Sequence, residues 1–180
     1  MSDAPHQAAR EIERVWVLRS MPAVPPGAEQ WTIDQGYLPH ADGDSAAAGF
    51  PEGRLRRIER PDGSVTYRHT IKRGTGLVRE EIERAITAEE YARWWPATAG
   101  RRIEKTRYRI GAASAGGVDL VWELDRFHGL PLVMLEVELP DERHAVELPA
   151  WARDLVVREV TDDPRYRNAA LAISGLPNPL

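Results

Sequence analysis

The 180-residue chain has no cysteine. Disulfides, thiolate metal sites and a cysteine nucleophile are therefore excluded. No apolar run approaches the roughly 18 residues that a membrane-spanning helix requires. Residues 1–10 are polar and lack the apolar segment of a secretory signal. A large charge excess is missing as well. Lys and Arg total 24 against 28 Asp and Glu, a net charge of -4, which argues against a general nucleic-acid binder. Gly74-Thr-Gly76 is too short for a phosphate loop and lacks the Lys and Ser/Thr of the Walker pattern. No Ser-His-Asp arrangement can be argued from the spacing. These absences lead us to expect a cytoplasmic protein with neither a nucleic-acid nor a membrane partner. At about 150 residues per domain, the length suits one domain. It is expected over residues 11–173, between tails at 1–10 and 174–180.

What the chain does have is charge in a pattern, with 29% of residues charged. Residues 11–18 alternate: Ile12, Trp16 and Leu18 share one parity while Glu11 and Glu13 take the other, which reads as a two-faced strand. Residues 31–38, 54–60, 64–72, 77–86, 103–110, 118–127 and 132–139 read as seven more strands. Pro61-Asp-Gly63 marks a hairpin, because Asp-Gly tolerates positive φ. Residues 39–53, rich in Pro, Gly, Ala and Asp, read as an exposed loop. Thr87 followed by Glu90 is a capping-box signature for a helix running to about Trp95 and stopping before Pro96. Asp162-Asp-Pro164 opens a second helix over 165–173. Eight strands with few helices give an α+β, mainly β chain, built as an antiparallel barrel or a strongly curved sheet.

Several strands carry charged residues at i and i+2, which point to one face. The acidic doublets are Glu11/Glu13, Glu81/Glu83, Glu123/Asp125 and Glu136/Glu138. The basic ones are Arg54/Arg56 and Lys105/Arg107, joined by Lys72 with Arg68 and Thr70 on its parity. Each doublet taken alone suits a solvated sheet face laced with ion pairs, each worth roughly 0.2–1 kcal/mol. Four acidic doublets together favour a second arrangement, in which the charged face closes inward. Carboxylates would then gather a hard cation through oxygen, and Arg and Lys would grip phosphate oxygens. That is the chemistry of a polyanionic phosphate substrate.

Ordered along the chain, Glu11-Ile-Glu13, Gln35-Gly-Tyr-Leu38, Arg54-Leu-Arg56, Thr70-Ile-Lys72, Glu81-Ile-Glu83, Ile103-Glu-Lys-Thr-Arg-Tyr108, Trp122-Glu-Leu-Asp-Arg-Phe-His-Gly129, Leu135-Glu-Val-Glu-Leu139 and Glu159-Val-Thr-Asp162 with Arg165-Tyr166 and Asn168 resemble the CYTH-domain proteins, or triphosphate tunnel metalloenzymes, most of all their short bacterial, inorganic triphosphatase-like branch. The resemblance implies an eight-stranded antiparallel tunnel with a few flanking helices and a C-terminal plug helix. It implies a linear triphosphate or polyphosphate as substrate and Mg2+ or Mn2+ as cofactor. Glu11, Glu13, Glu123, Asp125, Glu136 and Glu138 would bind metal, and Arg54, Arg56, Lys72, Lys105, Arg107 and Arg158 would bind phosphate. Glu81, Glu83 and Lys105 form the implied catalytic set. The family also contains thiamine triphosphatases and class IV adenylate cyclases, which are weaker alternatives here.

One position departs from the family pattern. Its opening Glu-x-Glu-x-Lys ends here in Val15, which shares the parity of Glu11 and Glu13, whereas Arg14 points away. A missing ammonium beside developing phosphate charge costs a few kcal/mol by analogy with a lost oxyanion donor. A non-catalytic polyphosphate or nucleotide-triphosphate binding protein is therefore the alternative reading. His69 falls on the outward parity, His128 in a turn, and Trp94-Trp95 reads as helix packing. Outward Trp16 and Trp122 suit packing on helices or on a second subunit in a homodimer.

Overall fold

The computed structural model describes residues 9–39, 52–73, 78–113 and 119–177. The loop expected over 39–53, the turns at 73–76 and 113–118, and parts of both tails fall largely or wholly outside these residues. All eight expected strands form: β1 (Ala9–Leu18), β2 (Glu29–Leu38), β3 (Gly53–Glu59), β4 (Val65–Arg73), β5 (Val78–Ile86), β6 (Arg102–Ala113), β7 (Asp119–His128) and β8 (Val133–Glu138). A ninth, β9 (Val156–Glu159), was not expected. Four residues with no apolar alternation leave no signal to read. β9 exists because β1 supplies its partner, through Trp16 opposite Glu159 and Val17 opposite Arg158.

The strands form one antiparallel sheet in the order β5-β4-β3-β2-β6-β7-β8-β1-β9, and β1 also pairs with β5. That last ladder covers Ala9 to Ile12 opposite Glu81 to Val78. The eight long strands thus curl round in a tunnel-like form that is not closed along its length, with β5 meeting β1 only from Ala9 to Ile12 and β9 pairing with β1 further along.

Among the described residues, three α-helices flank the sheet: α1 (Ala88–Trp94), α2 (Ala150–Arg153) and α3 (Asn168–Ser174). The capping box forms as the sequence predicts, with Glu90 N donating to Thr87 Oγ1 at 3.1 Å and Thr87 N donating to Glu90 Oε2 at 2.9 Å. Pro96 does not end the helical path. It sits in the first turn of a 3₁₀ segment, Trp95–Thr98, where a missing N–H costs nothing. The second expected helix is split into a 3₁₀ turn, Pro164–Tyr166, and α3, with extended Arg167 between them.

Apolar residues of outward parity are covered by the chain itself. Trp16 and Trp122 meet with ring centroids 5.7 Å apart, inside a core with Leu124, Leu135, Val137 and Ala152. Both are buried in internal packing, at 4% and 3% exposure. A second outer core places Tyr91 and Trp94 of α1 against Leu55 and Ile86. Gly36 is needed where β2 passes beneath the 3₁₀ segment, because a Cβ there would lie 2.5–2.9 Å from Thr98 side-chain atoms. Among the described residues, no helix is long and apolar enough to cross a membrane.

Candidate active site

Directly opposed residues of an antiparallel ladder share a face, so the registers identify the tunnel wall. Trp31, Ile33, Gln35 and Tyr37 of β2 face with Arg107, Lys105, Ile103 and Arg54 of the neighbouring strands. Lys105 and Arg107 oppose Phe127 and Asp125, Glu123 opposes Glu136, and Glu13 opposes Glu138. Every expected charged doublet therefore lies on the inner face by register. One end of this face is apolar. Val15, Val17, Phe127, Met134, Tyr166 and Leu171 pack there as a plug.

At the centre is a caged carboxylate. Asp125 and Lys105 are both 0% exposed. Asp125 Oδ2 accepts from Lys105 Nζ at 2.5 Å, and its two oxygens accept from Arg107 Nε and Nη2 at 2.7 and 2.6 Å. Arg107 also bonds Glu123, and donates to Glu136 Oε2 at 2.9 Å. Burial alone would raise the Asp125 carboxyl, but Arg107 and Lys105 outweigh it and hold the group well below the ordinary range. Glu123 is likewise held low by Arg107 against the effect of burial. Lys105 is pushed down by burial and by Arg107, which Asp125 offsets only in part. Both oxygens of Asp125, expected as metal donors, accept from Lys105 and Arg107 in this structure. A fully buried carboxylate persists only when paired, and sequence spacing carried no sign of its burial.

Arg54 and Arg56 form the facing wall. Arg54 Nη2 donates to Thr70 Oγ1 at 3.1 Å and lies 3.7 and 3.8 Å from Glu81 and Glu83. Thr70 Oγ1 donates in turn to Glu83 Oε2 at 2.9 Å. Burial, with Arg54 and Arg107 nearby, depresses Arg56 to about 10. The Nε atoms of both Arg54 and Arg56 are buried without a hydrogen-bond partner in the protein. Buried donors in this state are uncommon and mark a ligand or water site. The side chain of Lys72 lies outside the described residues; its backbone pairs with Glu81.

Glu11, Glu13, Glu123, Glu136 and Glu138 with Arg109 line a cavity of about 340 Å³ at the mouth opposite the plug. Acid faces acid across two ladders, Glu13 on Glu138 and Glu123 on Glu136, an arrangement that repels unless a cation joins it. Arg107 and Arg109 serve the second pair, Arg109 Nε lying 3.3 Å from Glu123. Arg167 reaches Glu13 at 3.3 Å. Among the described residues, no three acids or histidines are drawn together as a metal cage. The donor chemistry of this mouth, carboxylate oxygens around an open cavity, still fits a hard divalent cation.

Val15 is 6% exposed on the inner face, opposite Glu136. Arg14 points outward to Glu159, at 2.8 and 2.5 Å. Arg158 makes its contacts in the plug, donating to Tyr166 Oη at 2.8 Å and lying 3.7 Å from Asp163. His69 is outward and buried beneath α1, its Nε2 2.6 Å from the Glu52 carbonyl.

No family model matches the chain. It is 37% identical over 147 residues to an inorganic triphosphatase of Nitrosomonas europaea, spanning 71% of this chain and 92% of that protein. The chain belongs to the CYTH-like inorganic triphosphatase family. A second inorganic triphosphatase of this family, from Acetivibrio thermocellus, is 35% identical over 118 residues, 64% of this chain and 68% of the relative. The crystal structure of an inorganic triphosphatase superposes with a TM-score of 0.56 at 32% identity, covering 96% of this chain and all of that one (100%).

For a member of the inorganic triphosphatase family, the wall contains more than the doublets revealed. Arg109 follows Lys105 and Arg107 as a third alternate residue, a continuation of the same signal. Tyr37, raised to about 12 chiefly by burial despite Arg54 and Arg56, accepts from Gln35 Nε2 at 3.0 Å. Arg167 had no periodicity to reveal it, since it lies in a turn beside the plug helix.

Proposed function

We propose that the protein is a metal-dependent hydrolase of inorganic tripolyphosphate or another linear triphosphate, acting inside its charged tunnel. The observation that carries this reading is the pair of buried, unpartnered guanidinium nitrogens of Arg54 and Arg56, set opposite a carboxylate wall. Phosphate oxygens are strong acceptors matched to guanidinium geometry. Arg54, Arg56 and Arg107, with Lys72 on the same face by register, hold the chain along the tunnel. Lys105 and Arg107, gathered on Asp125, keep their charges fixed where negative charge grows at the phosphorus. Such preorganised donors lower the barrier because little reorganisation is needed during reaction. Glu81 and Glu83, tied to Arg54 and Thr70, supply acceptors that orient an attacking water for in-line displacement. Mg2+ or Mn2+ held by Glu11, Glu13, Glu136 and Glu138 would supply Lewis-acid neutralisation of the phosphate charge.

A second reading is favoured by one observation. Val15 occupies an inner position with an apolar side chain, as a binding protein without turnover would allow. Phosphate release from tripolyphosphate, with Mg2+ and then Mn2+, separates the two. The hydrolase reading expects metal-dependent release that falls about 100-fold or more in the Glu136→Gln and Glu138→Gln variants. Metal-dependent binding with no product would establish the binding protein instead.

A further inference from the structure

Beyond the phosphate-gripping residues, the tunnel mouth carries a bracket of two guanidiniums on one indole. Arg60 and Arg109 lie 4.8 and 4.5 Å from the Trp31 ring centroid. They come from the strands on either side of β2: Arg109 is on β6, opposite Glu29, and Arg60 follows directly after Glu59 of β3, which opposes Thr32. Arg60 is fixed by the hairpin, its N–H donating to the Ser64 carbonyl at 3.0 Å and its carbonyl accepting from Gly63 at 2.9 Å. Its Nη1 also reaches Thr66 Oγ1 at 3.3 Å. Glu29 lies 4.0 Å from Arg60 and 3.7 Å from Arg109, beyond hydrogen-bond reach of either, and Glu123 accepts from Arg109 at 3.3 Å. The indole Nε1 of Trp31 is buried with no hydrogen-bond partner.

The position of this bracket along the tunnel is set by β6. Ile103 belongs to the plug, Lys105 and Arg107 to the caged centre, and Arg109 to the mouth cavity. A linear chain with its reacting end at the centre and its length toward the mouth would bring its other end to Arg109, with Trp31 and Arg60 beside it. In tripolyphosphate that end is a terminal phosphate with its full complement of charged oxygens. In a nucleoside 5′-triphosphate it is an ester, which carries less charge and a bulky neutral sugar and base. Two guanidiniums and an indole N–H are donors for charged oxygens. The indole face is already stacked by cations, so it offers a base no vacant platform.

We propose that Arg60 and Arg109, held on Trp31, bind the distal phosphate and so select an uncapped inorganic chain over a nucleoside triphosphate. This rests on the hydrolase reading above and adds a specificity subsite to it. Arg60→Gln is expected to raise KM for tripolyphosphate about tenfold, with kcat within about twofold and ATP kinetics unchanged. Trp31→Leu is expected to move the ratio of kcat/KM for tripolyphosphate to that for ATP in the same direction. Glu29→Gln, which removes an acid from the mouth, is expected to lower KM for tripolyphosphate, and Arg60→Lys to recover part of the loss. Melting temperatures near that of the unmodified protein exclude unfolding as the cause. Equal loss on both substrates in Arg60→Gln would overturn the subsite, as would unmodified protein that takes ATP as readily as tripolyphosphate. Selective loss of ATP in Trp31→Leu would also overturn it, by making the indole a base platform. If the unmodified protein releases no phosphate, the hydrolase reading fails. Calorimetric affinities of tripolyphosphate and ATP for the same variants then decide the subsite alone: a tripolyphosphate preference lost in Arg60→Gln upholds it, and one retained sinks it.

Discussion

Replacing Asp125 by Asn removes one charge from a buried ion cluster with Lys105 and Arg107. Lys105 Nζ at 2.5 Å would then face a neutral amide, and Arg107 would keep only Glu123 and Glu136. Removing one partner of a buried ion pair costs about 3–5 kcal/mol, because the remaining charge stays desolvated. For a chain of this size each kcal/mol corresponds to about 2–4 °C, so the melting temperature should fall by roughly 6–20 °C. The pH profile has a definite sign. The native Asp125 carboxyl is held low by Arg107 and Lys105 against burial. Its stabilising contribution is thus present above the unfolded value of about 3.9 and is lost as pH falls through the native one. The gap between the unmodified protein and Asp125→Asn should stay constant from about pH 8 to 5 and close only in stronger acid. Adding Lys105→Met to Asp125→Asn should restore part of the loss, because both buried charges then leave together. Thermal and urea melts across that pH range provide the assay. An Asp125→Asn variant that melts within about 2 °C of the unmodified protein at neutral pH would refute the reasoning that Lys105 and Arg107 depend on this buried counter-ion.

Other outcomes follow from single contacts. Gly36→Ala should destabilise by about 1–3 kcal/mol in urea unfolding, since the new Cβ meets Thr98 at 2.5–2.9 Å; an unchanged midpoint would mean the 3₁₀ segment yields freely. Trp16→Ala should cost about 3–5 kcal/mol by emptying the outer core against Trp122, and a smaller cost in denaturant titration would show that the site collapses. His69 is lowered by burial, the Glu52 hydrogen bond notwithstanding, so the unfolded chain takes up its proton first. Stability should therefore decline as pH falls below about 6.5, and the decline should be shallower in His69→Gln melts at matched pH. Val15→Lys places an ammonium opposite Glu136 and should raise tripolyphosphate turnover about tenfold or more; equal rates in a phosphate-release assay would show that the position lies away from the reacting phosphorus.

The strands were legible because strand periodicity is local. Glu11/Glu13, Lys105/Arg107 and Glu136/Glu138 each declare a two-faced strand within three residues. The same doublets showed which residue types share a face, and that face proved to be the interior. The partners across it were not legible. That Arg107 spends its guanidinium on Asp125, Glu123 and Glu136 depends on the pairing of β6, β7 and β8 and on their registers, which a strand does not encode by itself. Sequence position showed the charge of Arg158, beside the family-like Glu159-Val-Thr, but not its neighbours Tyr166 and Asp163.

The amino-acid sequence alone determined eight strands, the capping box of Thr87 and Glu90, the hairpin at Asp62-Gly63 and the sets of charges that share one strand face, since each follows from residues within a few positions of one another. Only the tertiary structure decided that β9 exists, that Trp16 and Trp122 pack against each other, and that Asp125 is caged while Glu11, Glu13 and Glu138 line an open mouth. Burial separates these carboxylates, and burial is a property of the assembled sheet: carboxylates at the same i, i+2 spacing become a buried counter-ion at the tunnel centre and cavity-lining oxygens at its mouth.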